Sequence, residues 1–396
     1  MAGLTLEWVY ELLRGLGRLF LHPMFYYVFI LAVLLGIARV KRERHDFHVR
    51  AENAYYEVRQ VLPLGLILGL IFSILLIVIG IVIPIEMIIF VALFTFILSL
   101  TTKMRWLAPV YTVGLAFFAT LFFLSKEWAF PLVESGTPDW NINLLPPMAV
   151  LLGLIVIAEG IFISKNGIRG TSPKIIISKR GLRAGIHEVS RVWMLPVFLL
   201  IPGDAISAPF SWWPVFSIGS ETYSILVVPF AIGFYQQIYS TLPAVALKEF
   251  GKKVINLGII LTVLSAVGYW VPLASIVVVA LAMIVRELLS MRLRLKEENS
   301  PLYFSRKQQG VMILGVIPDS PAEKMGLGIG EVIMKANGIH VNSEDSFYDA
   351  LEINRAHCKL EVVDVNDQIR YVQRALYEGD PYKLGILFVL DEKTAN

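Results

Sequence analysis

Residues 61–83 read VLPLGLILGLIFSILLIVIGIVI and carry no charged side chain. A helix of about 20 apolar residues is long enough to cross the hydrocarbon core of a bilayer, which is roughly 30 Å thick. This stretch therefore predicts a membrane-spanning helix, and the rest of the fold has to be compatible with a lipid environment.

The composition of the whole chain is typical of a multi-pass membrane protein. Of its 396 residues, 56% are hydrophobic and 17% are charged, and the mean hydropathy is +0.66. An ordinary soluble domain has about 25% charged residues. We predict nine spans, of which the sixth is interrupted by Pro196 and Pro202 and the ninth is short, so either could be tilted or half-crossing. The predicted spans are residues 24–38, 61–83, 87–100, 106–124, 144–163, 192–206, 223–239, 254–271 and 272–285.

Residues 1–20 are predicted to form an amphipathic helix ahead of the first span. Apolar residues recur there at helical spacing, and Glu7, Glu11, Arg14 and Arg18 recur on the other side. This pattern favours a helix lying in the membrane interface. The alternative is a helix that simply packs on its neighbours in the membrane domain.

The distribution of basic residues predicts the orientation of the chain. Lys and Arg are concentrated in alternate connections, at 39–59, 103–105, 165–191, 248–253 and 286–296, while the other connections contain Lys126 as their only base. Basic connections stay on the cytoplasmic side. We therefore expect the C-terminal residues in the cytoplasm. An odd number of spans would place the N-terminus outside together with Arg14 and Arg18, against this charge pattern, so the side of the N-terminus stays open.

Two other features of the predicted membrane domain, residues 21–290, stand out. Residues 208–218 contain two prolines and four aromatic side chains, which is typical of an aromatic belt at the outer interface. Gly65 and Gly69 form a pair of small residues that would let a helix pack closely, within the protein or in a homo-oligomer.

Ionisable groups within spans are functional candidates, and Glu159 is the most prominent. Together with the Gln236–Gln237 pair it keeps a transporter open as an alternative. Glu159 lies near the cytoplasmic end of its span and could instead extend to the interface.

The composition changes at residues 291–302, which we interpret as a linker to a small α+β domain at 303–390, followed by a tail at 391–396. Strands are predicted at 311–317, 332–336, 360–364, 369–376 and 384–389. A helix is predicted at 344–354, with Asn342 or Ser343 as its N-cap. Asn337 and Gly338 predict a turn. The single cysteine, Cys358, excludes an intrachain disulfide and fits a reducing compartment.

The C-terminal pattern resembles the PDZ domain in its bacterial, protease-associated arrangement. The resemblance rests on QGVMI at 309–313, IPDSPAEKMGL at 317–327, GEVI at 330–333 and NG at 337–338. One departure is Glu331, where the family usually has Asp. The fold class expected is therefore an all-α polytopic transmembrane domain followed by a small α+β PDZ-like domain.

Such a domain binds an extended peptide by strand addition to an exposed sheet edge. We predict that the peptide pairs with the strand at 311–314 and lies against the helix at 344–354, with Gly310 letting backbone N–H groups converge on a terminal carboxylate. The alternative is that these side chains fill the core of the domain. The predicted peptide-binding residues are Gln309, Gly310, Val311, Met312, Ile313, Leu314, Phe347 and Leu351.

The motifs of the expected enzyme classes do not occur in the sequence. A zinc intramembrane protease needs His-Glu-x-x-His, and the string at 187–191, HEVSR, lacks the second histidine. No Gly-x-Ser-x-Gly elbow is present. We therefore expect no catalytic residues, no metal and no cofactor, with a PDZ-containing membrane protease kept as an alternative. We see no sign of nucleic-acid binding.

The whole chain resembles the MinJ family of Gram-positive division-site membrane proteins. The resemblance rests on LHP at 21–23, RVKRER at 39–44, DF at 46–47 and VR at 49–50, and on the single C-terminal PDZ-like domain. It implies an adaptor that bridges a DivIVA-like polar scaffold and a MinD-like ATPase, at the septum and poles. It assigns no residue to either partner.

Overall fold

The computed structural model describes residues 2–126, 142–178, 181, 183–210, 212–216, 222–305, 309–354, 357–375 and 384–389. Most of the connection after the fourth predicted span and the whole predicted tail, 391–396, lie outside these residues. The described chain forms a mostly helical membrane domain followed by a C-terminal α/β domain.

Seven of the nine predicted spans lie in helices. Within the residues that the structure describes, two apolar helices are short and five helical stretches are long and apolar enough to cross a membrane, at Pro23–Phe47, Tyr56–Ile79, Ile142–Lys165, Pro243–Tyr269 and Ala274–Asn299. The chain is therefore a multi-pass membrane protein. The helices of this domain are α1 (Ala2–Leu21), α2 (Pro23–Phe47), α3 (Tyr56–Gln60), α4 (Pro63–Ile79), α5 (Ile85–Ser99), α6 (Pro109–Ser125), α7 (Leu145–Lys165), α8 (Pro243–Ala266) and α9 (Ala274–Asn299).

The central element of the membrane domain is α7, which is enclosed on almost every side. Its apolar window is 83% buried, against 28% to 39% for the other four long helices. A helix that is apolar all round belongs inside a bundle or a membrane. The other four present one side to the protein and the other to the surroundings, as lipid-facing helices do.

The predicted helices at 192–206 and 223–239 are wrong, because both segments are β-strands. A three-stranded antiparallel sheet is formed by β1 (Ser172–Ile177), β2 (Arg183–Ser207) and β3 (Thr222–Ile238), in that order. The membrane domain is therefore not all-α. A continuous apolar run does not distinguish a buried strand from a buried helix by its periodicity. Because β2 and β3 are antiparallel, the chain enters and leaves this pair of strands at the same end of the sheet. Two helical crossings would also return the chain to the side from which it started.

Beyond the residues that pair with β1, one side of β2 has no neighbouring strand. Groups from α4 and the segments on either side of it accept or donate hydrogen bonds there. The Met194 N–H donates to the Val61 carbonyl at 3.0 Å, and the Phe198 N–H donates to Ser73 Oγ at 2.8 Å. Leu200 is bridged to the segment after α4. Without water, each unpaired backbone group would cost several kcal/mol.

Pro196 and Pro202 lie on the same open edge of β2 and reduce the number of N–H groups that need a partner there. Alternate residues of a strand direct their backbone groups to the same side, so Pro196 and Pro202 share the orientation of Met194 and Phe198. Proline has no N–H to satisfy. The two prolines therefore remove two donors from an edge that faces a helix instead of another strand.

Helix α4 reaches this edge through Gly65 and Gly69. A Cβ atom at Gly65 would lie 1.8 Å from the Met194 carbonyl oxygen, and one at Gly69 would lie 2.0 Å from that of Pro196. Close packing at the glycine pair is confirmed, but its partner is a strand of the same chain. Any larger residue would push the helix off the sheet.

Glu159 is buried inside the protein and paired. Its Oε1 accepts from Arg286 Nη2 of α9 at 2.5 Å, and the guanidinium lies 5.1 Å from the centre of the Phe250 ring. Glu159 and Arg286 are 0% and 4% exposed. The carboxylate therefore does not extend to the interface and instead joins α7 to α9.

Helix α1 packs on the sheet of the membrane domain. This position matches the second prediction for residues 1–20, a helix that packs on its neighbours, and not a helix that only lies in the membrane interface. Glu11 is 1% exposed and bonds Arg18 and the Ile225 N–H, at 3.2 Å and 3.4 Å. Trp8 contacts Trp213, with ring centres 5.5 Å apart. The helix therefore directs Glu11 inward and leaves much of its apolar face exposed.

The aromatic segment at 208–218 is partly inside the protein. Phe210 and Trp212 stack on each other and are exposed, while Trp213 is buried and donates from Nε1 to the Ile77 carbonyl at 2.9 Å. Phe216 bridges to Ile81. Only the first two side chains are placed to meet an interface; residues 211 and 217–218 lie outside the described chain.

The C-terminal domain begins directly after α9, which extends to Asn299, so most of the predicted linker is helical. The predicted turn at Asn337–Gly338 is confirmed by positive φ angles of 49° and 86°. Ser343 caps the helix Glu344–Glu352 by accepting from the Ser346 N–H at 3.1 Å, which confirms the predicted helix start. The elements are β4 (Val311–Val316), α10 (Pro321–Lys324), β5 (Val332–Ala336), β6 (Ile339–His340), α11 (Glu344–Glu352), β7 (His357–Val363), β8 (Ile369–Ala375) and β9 (Ile386–Phe388).

We predict that Arg286→Met destabilises the membrane domain by about 3–5 kcal/mol, because it leaves the Glu159 carboxylate buried without a partner. The double variant Glu159→Gln, Arg286→Met should recover most of that loss. Thermal unfolding in detergent measures both. The control is Lys253→Met, which breaks an exposed pair with Glu249 and should cost less than about 1 kcal/mol. Equal losses for the Arg286 and Lys253 variants would contradict the buried pair.

Candidate interaction surface of the C-terminal domain

Strand β4, the predicted peptide-binding edge, lies inside the sheet. The sheet order is β8-β7-β5-β4-β9, with β6 pairing with β5. The first two residues of β4 pair with β5, and Ile313, Gly315 and Val316 pair with β9. Strand β4 is therefore not an edge strand of the described sheet, although β9 leaves Val311 and Met312 without a partner on its side. The peptide-binding role of 309–314 stays a prediction.

Strand β9 lies where the sequence predicted a partner peptide. It is antiparallel to β4, and the Phe388 ring lies 5.3 Å from the Phe347 ring of α11. Phe347 and Leu351 are 0% and 7% exposed, in one core cluster with Val311 and Ile313. The groove between β4 and α11 is thus filled by β9, the last strand that the structure describes, as in the alternative in which these side chains form a core.

The glycine turn before β4 is also engaged. Gly310 has a φ of +79°, in the left-handed region that favours glycine, and its N–H donates to Asn342 Oδ1 at 3.1 Å. Gln309 beside it is exposed. Of the eight predicted residues, Gln309 alone is fully accessible.

Met312 and Leu314 belong to an interface between the two domains. Both are buried, and they pack in one cluster with Phe47 and Ala51 of the membrane domain and with Phe304. The Gly185 N–H of β2 donates to the Phe304 carbonyl at 2.9 Å. The C-terminal domain is therefore docked on the membrane domain through one face of β4.

His187 is the polar centre of this interface. Its Nε2 donates to the Leu314 carbonyl and its Nδ1 accepts from Thr171 Oγ1, both at 2.9 Å. The side chain is fully buried and tilted against the Phe304 ring at 5.0 Å. Burial lowers the pKa of His187 to about 4, so the neutral imidazole is the docked form.

The exposed edge of the described sheet is β8. Ile369 and Tyr371 are 61% and 69% exposed on its outer face, while Val372 faces the core. The next strand, β7, is hydrogen-bonded on its other side to β5, so β8 has one open side within the described residues. The alternating pattern IRYVQRA at 369–375 predicts a strand, whereas its edge position depends on which strands pair beside it.

The described residues contain no group of three or more His, Cys, Asp or Glu side chains that could hold a metal. Cys358 is buried in β7, and burial raises its thiol pKa to about 12. A thiol with that pKa is unreactive at neutral pH. It can therefore report whether the domain is folded.

Comparison with known proteins relates the chain to cell-division proteins along nearly its whole length. It is 38% identical over 391 residues to the cell division topological determinant MinJ of Bacillus subtilis, covering 98% of both chains. It is 22% identical over 246 residues to a Lacticaseibacillus paracasei protein given the same name provisionally, covering 62% of this chain and 66% of that one.

A shorter match concerns a different class of protein. Over 83 residues, or 20% of this chain and 25% of the relative, the chain is 31% identical to a Clostridium perfringens protein named provisionally as a zinc metalloprotease. No family model matches the chain.

We predict that docking of the C-terminal domain weakens as the pH falls from 6.5 towards 4. In that window an exposed His187 binds a proton that the buried one does not, so stability is lost on acidification, by about 2 kcal/mol at pH 5. Thermal unfolding of the full chain from pH 7 to pH 5 measures the loss. His187→Gln can still donate to Leu314 and does not titrate, so its profile should be flatter. Parallel profiles for the two proteins would contradict this role.

Proposed function

Since this chain belongs to the MinJ family of cell division topological determinants, we propose that it is a membrane-embedded adaptor that recruits site-selection proteins to the division septum and poles. The partners we propose are a DivIVA-like polar scaffold and a MinD-like ATPase, engaged through the cytoplasmic connections and the C-terminal domain. The protein is not proposed to be an enzyme, because its long matches are to proteins named as topological determinants.

The proposed orientation places the C-terminal domain in the cytoplasm. Its support is the concentration of Lys and Arg in alternate connections, including 39–59 and 165–191, which border the docking interface. A cytoplasmic location also matches the free thiol of Cys358. Partners that act on the cytoplasmic side would meet this domain directly.

We propose further that the domain is of the PDZ type and that it takes an extended segment of a partner by strand addition. The observation that carries this proposal is the open edge of β8, beside which Ile369 and Tyr371 are exposed on one face of the sheet. Exposed strand edges pair readily with other chains. The opposite part of the sheet is docked on the membrane domain, so β8 is directed away from that interface.

A partner peptide could also bind in the predicted groove, but β9 would first have to be displaced from it. The groove residues are Gln309–Leu314, Phe347 and Leu351. Phe388 and its neighbours in β9 are at most 5% exposed. Exposing such side chains costs about 1.5–3 kcal/mol each. Strand addition at β8 has no such cost, so we favour β8 as the first contact and keep the groove as a second candidate that needs strand exchange.

A regulated transporter has less support. Its candidate group, Glu159, is paired with Arg286, and Gln236 and Gln237 lie on a strand of the buried sheet. Glu159, Gln236 and Gln237 therefore have a structural role in the membrane domain, and none of them needs a transported solute to account for its position. The protease alternative rests on a match to 20% of the chain.

We predict that Ile369→Lys with Tyr371→Lys lowers capture of at least one purified partner, DivIVA-like or MinD-like, by about tenfold, because charged side chains prevent edge pairing. The full-length protein in detergent is the bait, and a chain lacking 301–396 marks complete loss. The control is Ile339→Lys with Ile353→Lys, which adds the same charge at exposed apolar sites off β8.

Maleimide labelling of Cys358 tests whether each variant keeps a folded domain, since the thiol is buried. Loss of capture in the β8 variant with an unlabelled thiol supports strand addition. Equal capture by the two double variants would exclude β8. Unchanged capture by the truncated chain would overturn the role of the whole domain.

A further inference from the structure

The membrane domain contains a cavity of about 530 Å³ at the end of the sheet. Its walls come from the last turns of α2, the connection after α5, the strands β2 and β3, and the C-terminal part of α9. These include four of the five connections in which the sequence concentrates its basic residues. The fold thus gathers the charge of four separate loops around one space.

The wall of this cavity is rich in positive charge. Six of its residues are basic and three are acidic, an excess of three positive charges. Outside the lining, Glu43 and Glu287 pair with wall arginines and Lys174 pairs with Glu188, so the excess including these partners is two positive charges. The charged residues of the wall are Arg39, Arg42, Lys103, Arg105, Arg191, Arg294, Glu57, Glu188 and Glu298.

Two donors in this wall have no acceptor within the described chain. The Arg39 side chain is 8% exposed; its Nε and Nη1 bind Glu43 and Glu57, while its Nη2 is buried without a hydrogen-bond partner. Arg42 binds Glu188 and Ser172 and leaves its buried Nε unpartnered. Buried polar groups in native proteins are normally satisfied. Both guanidinium groups line the cavity, and each keeps one N–H that no protein acceptor satisfies.

Lys103 and Arg294 add two accessible charges to the wall. Both are exposed, and neither forms an ion pair within the described residues. Arginine forks match the oxygens of a phosphate, and a lysine acts on it as a point charge. Buried forks with accessible cations around them are the donor set expected for a phosphate group.

The position of the cavity indicates where the phosphate would come from. Leu35 and Ala38 of α2 form part of the wall, and the neighbouring Leu34 and Ile37 are 56% and 54% exposed on the apolar outer face of this helix. A ligand held here would meet cations with its polar end and lipid-facing side chains with its other end. That combination is the chemistry of a phospholipid. Anionic lipids are enriched in the cytoplasmic leaflet, the side on which the basic connections are expected.

We propose that this cavity binds the phosphate of an anionic phospholipid headgroup, whose acyl chains lie along the exposed face of α2. The inference is independent of the adaptor function, because it concerns the membrane domain and not the partner surface. A lipid bound there would contact α2, the sheet and α9 together.

The test uses the purified full-length protein in detergent and dioctanoyl phosphatidylglycerol as the probe. Native mass spectrometry counts bound lipid per chain over a titration. We expect Lys103→Gln with Arg294→Gln to raise the Kd by about tenfold. The control is Lys248→Gln with Lys252→Gln, which removes two exposed charges of α8 that do not line the cavity, and it should leave the Kd within about twofold. Both pairs are exposed, so neither should disturb folding.

Two further probes distinguish the source of the phosphate. Dioctanoyl phosphatidylcholine has the same chains and a neutral headgroup, and we expect it to bind at least about tenfold more weakly. Inorganic phosphate at millimolar concentration should displace little of the lipid. Displacement of the lipid by phosphate alone would overturn the lipid assignment in favour of a soluble phosphate ligand. Equal Kd values for the two double variants would overturn the site itself.

Discussion

The requirement that every backbone N–H and C=O finds a partner where water is excluded is the constraint on which the membrane domain depends. A strand of 25 residues such as β2 meets it on one side through β3, and on the other side its first residues pair with β1. Along the rest of that second side, Val61 and Ser73 accept two of its N–H groups, two prolines have no N–H to satisfy, and the glycines of α4 allow the contact. The helices enclose the sheet because an open edge could not face lipid.

The end of this sheet also organises the side of the molecule that carries the C-terminal domain and four basic connections. His187 and Glu188 are neighbours on β2 and point to opposite faces, as successive strand residues do. His187 bonds the C-terminal domain at Leu314, and Glu188 accepts from Arg42 and Lys174 in the basic cavity. Domain docking and the cationic wall therefore depend on the same few residues of one strand.

Local signals in the sequence predicted much of the C-terminal domain. Ser343, Asn337 and Gly338 act through hydrogen bonds or φ preferences within a few residues, so their roles could be read without a fold. The place of β4 in its sheet could not, since it depends on β9, which follows more than 60 residues later. The sequence at 309–314 therefore predicts a strand, but it does not predict which strands pair with it.

By itself, the sequence determined that the chain spans a membrane several times, where its basic connections are, and that a small α+β domain follows. Length, hydropathy and turn residues are enough for these conclusions. Only the tertiary structure decided that residues 192–206 and 223–239 are strands, that Glu159 meets Arg286, and that four basic connections converge on one cavity. The physical reason is that each of these features depends on a partner group distant in sequence, and an apolar run has the same composition whichever way its backbone is paired.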